Sequence, residues 1–337
     1  MRKLISLIVV LAGLWGGYWF VGSSQLEQGF KDYLAKELGP DDPVRLSYSD
    51  LTVQGFPSRF DTRITDVDLT NTINDIRWQA PFFQIYALSY KPYHIIASLP
   101  PQQIVTLPKQ EFQINSEVIK GSIVFLPKPL FNGDVIVDRS SFEMVNVTAS
   151  SNKGWETAIK EGSVALRQTP TKPLFYDLAI SAQSIDLPDQ LRVLIDPAHQ
   201  QSALFDSFKL DSTLGLSHPL DLTADRGEHP KVTEIEVKDL TIHWDDIRFL
   251  AKGTLQIGAD GYPVGKLDLT AINWQKMYEL ADQSGAVDPD FAPTIQNGLK
   301  VLAGMSEGED VIEIALNFAD GQMSLGPFPI GPAPRLY

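Results

Sequence analysis

The 337-residue chain contains no cysteine. That absence excludes thiol catalysis, disulfides, lipoprotein acylation, Cys-ligated zinc and iron–sulfur clusters. Histidine is scarce as well: His94, His199, His218, His229 and His243 make up the full set of five. None shows the H-E-x-x-H, H-x-H or H-x₃-H spacing of a metal site, and His218 and His229 flank a loop-like segment, Pro219–Glu228. No G-x-S-x-G elbow, P-loop or G-x-G-x-x-G stretch occurs. Basic residues are in deficit, with 28 Lys and Arg against 42 Asp and Glu and a formal net charge of −14. Such a surface repels phosphate backbones and anionic head groups, which argues against nucleic acid as a partner and against peripheral electrostatic docking on membranes. The acidic pairs Asp41-Asp42 and Asp245-Asp246 read as ordinary turn and surface chemistry. The first lies beside a Gly-Pro turn, and neighbouring carboxylates on a strand point to opposite faces. The sequence therefore assigns no catalytic residue, no metal ligand and no cofactor, and reads as a non-enzyme.

What the chain does have is an address. Arg2 and Lys3 precede an uncharged run of 19 residues, Leu4 to Gly22. At about 1.5 Å per residue, a helix of that length spans roughly the hydrocarbon core of a bilayer. Leu4, Ile8, Leu11, Trp15 and Trp19 are the expected anchor residues, with Trp15, Tyr18 and Trp19 crowding the outer end, where aromatic rings favour the interface. The leading cations favour a cytoplasmic N-terminus, so the remainder is expected in the periplasm of a Gram-negative bacterium. Val21-Gly22-Ser23 offers a poor cleavage site. The long apolar run and its bulky aromatics favour an uncleaved signal anchor over a cleaved signal peptide.

Residues 23–39 read as an amphipathic helix. Leu26, Phe30, Tyr33, Leu34 and Leu38 form its apolar stripe, and Gly39-Pro40 stops it. From Val44 the period becomes two: Val44, Leu46 and Tyr48 alternate, followed by Leu51 and Val53, then Phe60, Ile64, Val67 and Leu69. The pattern returns repeatedly up to the hairpin Ile312–Phe318, Asp320-Gly321, Met323–Leu325. The fold class is thus mainly β (α+β), with curved antiparallel sheets, a few packing helices and an N-terminal transmembrane helix. Helices are expected at Asn273–Ser284, capped by Asn273 and ended by Gly285, at Phe291–Met305, and at Leu191–Ile195. The stretch Gly326–Pro334 is expected as an extended proline-rich tail on the surface.

The organisation expected is an anchor (1–22), an amphipathic helix (23–39), a first β-rich unit (40–170) and a second (171–337) that carries the later helices and the tail. Lys120-Gly121-Ser122-Ile123-Val124-Phe125 is echoed 132 residues later by Lys252-Gly253-Thr254-Leu255-Gln256-Ile257. Gly133 and Gly265 open a second strand in each copy, after the turns Pro127–Asn132 and Asp260-Gly261. One reading is a duplicated β unit; the other is that any two hairpins share glycines and alternating aliphatics. Trp78, Phe82, Phe83, Tyr86, Tyr90 and Tyr93 cluster within sixteen residues, with Pro81 and Pro92 suggesting strand ends or an edge. Core packing is one reading of the cluster and an apolar groove is the other. The candidate ligand-binding residues are Trp78, Phe83, Tyr86 and Tyr90, with Trp244, Leu255 and Ile257 in the second unit.

The anchor, Val53-Gln54-Gly55-Phe56-Pro57-Ser58-Arg59-Phe60, Trp78-Gln79-Ala80-Pro81, Tyr90-Lys91-Pro92 and the closing Gly/Pro segment together resemble the envelope proteins grouped as domain of unknown function 2125. That resemblance covers nearly the whole chain and brings no catalytic residues with it. A weaker resemblance, to AsmA-like envelope proteins, rests on the order of anchor and amphipathic strands and on the hairpin around Gly253 and Gly265. It implies curved, apolar-lined sheets and a role in lipid transport or envelope assembly. The function expected is non-catalytic: an anchored periplasmic protein holding a lipid or other apolar group in a sheet-lined groove. The alternative is a scaffold that binds another envelope protein through a strand edge or the proline-rich tail.

Overall fold

The apolar run and the stripe that follows it form one uninterrupted helix, α1 (Arg2–Glu37). Nothing between Leu4 and Leu38 breaks it, since the glycines at 13, 16, 17, 22 and 29 are isolated or paired and no proline occurs. The computed structural model describes residues 1–39, 42–126, 135–221, 230–306 and 308–337. Asp41, the turn Pro127–Asn132, Gly133 and His229 lie outside the described residues, as does most of the Pro219–Glu228 loop. Two compact units emerge: Met1–Pro127 with Phe142–Gly154, and Lys128–Ser141 with Trp155–Tyr337. Both are dominated by antiparallel strands, and the described residues hold four helices.

The first unit contains β1 (Val44–Ser47), β2 (Asp50–Gln54), β3 (Arg59–Asn71), β4 (Ile76–Leu88), β5 (Lys91–Ser98), β6 (Gln102–Leu107), β7 (Gln110–Asn115) and β8 (Val118–Phe125). The Phe142–Ser151 part of β9 (Val137–Ser151) completes it. The long strand β3 is the hub: β1 and β2 pair with successive halves of one edge, and β4 runs along the other. β4 in turn pairs with β6 through Arg77–Gln79 and with β5 through Gln84–Leu88. Pro81 therefore does not end a strand. It sits inside β4, opposite the left-handed residue Asp66, at a position that the β3–β4 ladder skips, so its missing N–H breaks no rung. Pro92, by contrast, does lie at a strand end, as the second residue of β5.

One face of this sheet packs on α1. Leu51, Ile64, Val67 and Ala80 are buried beneath Phe30 and Leu34, and Val53 and Phe60 are buried with Trp19 beneath Leu26. Tyr33 departs from its expected stripe and is exposed. The i, i+4 series Leu26, Phe30, Leu34 sets the contact line, and Tyr33 falls at its margin.

The second unit is a meander of β10 (Glu156–Thr169), β11 (Lys172–Asp186), β12 (Leu204–Leu216), β13 (Val232–Trp244), β14 (Ile247–Ile257), β15 (Pro263–Ile272), β16 (Val311–Ala319), β17 (Gln322–Leu325) and β18 (Phe328–Pro332). Each strand pairs with its successor. Helix α2 (Asp189–Ile195) interrupts the order after β11, and α3 (Trp274–Gln283) and α4 (Ala292–Ala303) interrupt it after β15. Trp274 and Ala303 from this helical pair are buried against Ile312.

Asn273 holds the N-cap position of α3 but does not cap it. It is left-handed, at φ 60°, and its Nδ2 donates to the Asp246 carbonyl. The proline-rich end is also more tightly held than a surface tail. β18 pairs with β17, Ala333 is buried beside Leu255, Ile257 and Phe318, and Arg335 donates to the Asp260 carbonyl at 2.7 Å.

Gly253 and Gly265 lie within two residues of each other across the β14–β15 ladder, with φ of 149° and 140°. A Cβ at these positions would stand 2.3 Å from the Lys266 carbonyl oxygen and 2.4 Å from that of Thr254. Here the sequence echo has a backbone cause: two strands approach so closely that only glycine fits. Its first copy continues into residues outside those described, so the echo is followed in the second unit alone. Gly253→Ala should destabilise the protein by about 2–3 kcal/mol, from left-handed strain plus the clash. Urea unfolding followed by circular dichroism checks this, and a midpoint equal to that of the parent chain would contradict it.

Candidate functional site

The site lies where α1 meets the end of the first sheet. Between β2 and β3 the chain turns at Gly55-Phe56-Pro57-Ser58. Gly55 takes φ 107°, and a Cβ there would lie 2.9 Å from Arg59 backbone and side-chain atoms. The Arg59 amide closes the turn on the Gly55 carbonyl at 2.9 Å. Three aromatic donors of α1 then fix the helix to this end of the unit. Trp15 Nε1 donates to the Pro57 carbonyl at 2.8 Å, Tyr18 Oη to that of Ser89 at 3.0 Å, and Trp19 Nε1 to that of Arg59 at 2.7 Å. Trp19 stacks on Phe60 at 6.1 Å and meets Phe56 edge-on at 5.4 Å.

Directly beyond this junction a cleft of about 390 Å³ opens between α1 and the sheet. Gly22, Leu26 and Phe30 form its helical wall, and Phe60, Ile85 and Ile95 contribute to the sheet wall. The register explains why these meet: Phe60 faces Ala87 and Thr62 faces Ile85 across β3–β4, and Ile95 faces Ala87 across β4–β5. Gly22 sets the gap, because a Cβ there would come within 3.1 Å of Phe60. The volume is within the range of small-molecule pockets, roughly 300–1,000 Å³, and the lining is mostly apolar.

The residues singled out from sequence sit elsewhere. Trp78 and Phe83 meet edge-on at 6.2 Å and pack on the Leu51/Ile64 cluster. Trp78 Nε1 also donates to Gln103 Oε1 at 2.9 Å. Tyr86 alternates away from Ile85 and Ala87, and its hydroxyl donates to Gln84. Tyr90 is exposed. In the second unit Trp244 is buried and donates to the Ser202 carbonyl, while Leu255 and Ile257 lie in the core covered by Phe318 and Ala333. Of the anchor set, Leu4, Ile8, Leu11 and Trp15 are exposed and Trp19 is 6% exposed. The cleft-lining residues carried one signal, the alternation on β3 and β4. It places Phe83, Ile85 and Ala87 on one face, but it does not say that the helix next to the membrane run covers that face.

Two further cavities are present. One of about 680 Å³ in the first unit has a mixed lining that includes Asp66, Asp68, Gln79 and Gln103 beside Val67 and Ile104. Its Asp68 is hydrogen-bonded and paired with Arg77, which holds the carboxyl below the usual range. An apolar one of about 290 Å³ in the second unit lies among Phe249, Trp274, Tyr278, Leu299 and Ile314.

The acidic pair Asp245-Asp246 forms the two-residue turn between β13 and β14 rather than part of a strand. The two carboxylates diverge, Asp245 to the Ser202 amide and Asp246 to Lys276. Among the described residues no group of three or more His, Asp or Glu converges as a metal site.

Asp61 follows the aromatic junction on β3. Arg59 Nη2 lies 3.1 Å from its carboxylate, yet burial outweighs that pairing and pushes the carboxyl above its ordinary value. Folding thus favours its protonated form. The stability this supplies is fully present below the unfolded carboxylate pKa of about 4 and is lost as pH rises through the higher folded value. The carboxyls of Asp68, Asp177, Asp239 and Asp246 are held low and act in the opposite sense. Asp61→Asn should therefore make Tm rise more steeply with pH on the acid side; an unchanged slope in differential scanning fluorimetry would contradict this.

Comparison with protein families matches residues 19–334 to the family described as "Uncharacterized protein conserved in bacteria (DUF2125)". No curated protein and no solved structure matches the chain, and the AsmA-like resemblance gains no support from these comparisons. With nearly its whole length matched, from the buried Trp19 to the proline-rich end, the chain belongs to the DUF2125 family.

Proposed function

We propose that this is a non-catalytic, single-pass protein of the Gram-negative inner membrane whose periplasmic body holds a lipid acyl chain or similar apolar group. The observation that carries the reading is the position of the cleft between α1 and β3–β5. Its helical wall begins at Gly22, the last residue of the apolar run, so an alkyl chain leaving the outer leaflet alongside α1 meets an apolar surface at once. Helix α1 is long and apolar enough to cross a membrane.

Retention of that helix, rather than its removal as a signal peptide, is supported by the aromatic junction. Cleavage near Gly22 would strip away the donors to the Pro57, Ser89 and Arg59 carbonyls and expose Phe60. A scaffold acting through the proline-rich tail has less support, because that tail is paired with β17 and tied to the β14–β15 turn.

Photo-crosslinking tests the reading. The full-length chain in vesicles containing a phospholipid with a diazirine in its acyl chain should be labelled on Leu26, Phe60, Ile85 or Ile95. Ala87→Trp, which fills the cleft, should reduce that labelling several-fold while the circular dichroism spectrum is retained. Labels confined to residues 4–20 of α1 would sink the proposal.

A further inference from the structure

The helix and the body cannot be separated at the membrane surface in the way a simple tether would be. At about 1.5 Å per residue the run Leu4–Gly22 covers about 28 Å, hardly enough for the ~30 Å hydrocarbon core, so the whole run is needed to cross. Yet the body is bonded to the helix inside that run, at Trp15, Tyr18 and Trp19. Trp15 precedes Gly22 by seven residues, about 10 Å along the axis. Helical side chains lean toward the N-terminus, which carries each contact deeper rather than shallower. If the run spans, the turns bonded to it lie below the outer surface of the hydrocarbon.

We infer that two hairpin tips of the first unit, Gly55–Ser58 and Ser89-Tyr90, are immersed in the outer leaflet of the bilayer, with Phe56 and Tyr90 in contact with lipid. The inference rests on the anchor reading above. Phe56 stacks on Phe20 at 5.5 Å and is still 54% exposed, and Tyr90 is 56% exposed. An irregular turn is tolerated at membrane depth only when its polar backbone is satisfied. Four carbonyls of these tips, those of Gly55, Pro57, Ser58 and Ser89, meet that condition. The amides of Phe56, Ser58 and Tyr90 have no partner among the described residues and are left to head-group oxygens or water at the boundary. The carbonyls of Pro57, Arg59 and Ser89 accept from Trp15, Trp19 and Tyr18, and the Ser58 carbonyl accepts from the Ser89 amide at 2.9 Å. Pro57 has no N–H to satisfy, and the Arg59 amide is bonded to Gly55. The donors are indole and phenol groups, the side chains that favour the head-group boundary. Arg59 and Lys91, both exposed beside the tips, have stems long enough to carry their charges outward to that boundary. The bilayer thus serves as the body's docking surface.

Because the chain has no native cysteine, single labelling sites are straightforward. Leu11→Cys, Phe56→Cys, Tyr90→Cys and Ile73→Cys would each carry an environment-sensitive fluorophore on the full-length chain, in phosphatidylcholine–phosphatidylglycerol vesicles. Ile73 is the control. It is an exposed aliphatic in the β3–β4 turn, at the far end of the 13-residue strand β3, about 40 Å from Arg59. Labels at 56 and 90 should be quenched by nitroxide lipids and shielded from aqueous iodide to the same degree as at 11, and several-fold better shielded than at 73. If either tip behaves like Ile73 while Leu11 stays lipid-quenched, the inference is overturned and the anchor stands. If Leu11 itself is open to iodide, the anchor reading falls and this inference falls with it.

Discussion

The structure of the first unit depends on one arrangement: backbone carbonyls at the end of a β-sheet are capped by aromatic N–H and O–H groups of the N-terminal helix. Each such bond contributes about 1 kcal/mol net, and more where water is excluded, because an orphaned carbonyl there would carry its full desolvation penalty. Their number matters less than their position. They tie the helix to the turns at Pro57 and Ser89, so the line Leu26, Phe30, Leu34 continues onto the sheet over Leu51, Ile64 and Val67. The cleft between Gly22 and Phe60 exists because the helix is held on both sides of it, by Trp19 before and by Phe30 after.

This arrangement changes the meaning of the apolar N-terminus. Composition treats residues 4–22 as a membrane span and 23–37 as a soluble helix, two segments with different tasks. In the structure they are one continuous helix, and its contacts with the folded body run from Trp15 to Leu34. Trp19 illustrates the point. Its sequence context marks it as an interfacial anchor, yet it is buried against Phe60 and Val53 and bonded to Arg59. On the proposed anchor reading, membrane attachment and folding of the first unit share the same side chains.

The fold class was legible because its signals are local. Alternation on β3, β4 and β14–β16, the Asp320-Gly321 turn and the Gly285 stop all follow from period and turn chemistry. The long strands β9 and β10 went unread, since Phe142–Ser151 and Glu156–Thr169 intersperse Ser, Thr, Asn and Glu and bury few large side chains. The continuity of β4 through Pro81 was also hidden, because it depends on a skipped rung opposite Asp66. The candidate site was less legible still. Aromatic density drew attention to Trp78 and Tyr86, whereas the cleft is defined by a glycine, two isoleucines and the placement of a helix across them. Which face a helix covers is a tertiary fact, and period two is silent about it. The proline-rich end shows the same limit: proline chemistry rules out a helix, but only the packing of Ala333 against Leu255 and Phe318 shows why the segment is held.

The cleft and the junction of the first unit both require α1 to remain part of the mature molecule. The most direct measurement is the intact mass, with N-terminal sequencing, of the protein isolated from the cell envelope of its native host. The expected result is a membrane-fraction species that still carries the apolar run Leu4–Gly22. A soluble species whose first residue lies near Ser23 would contradict it.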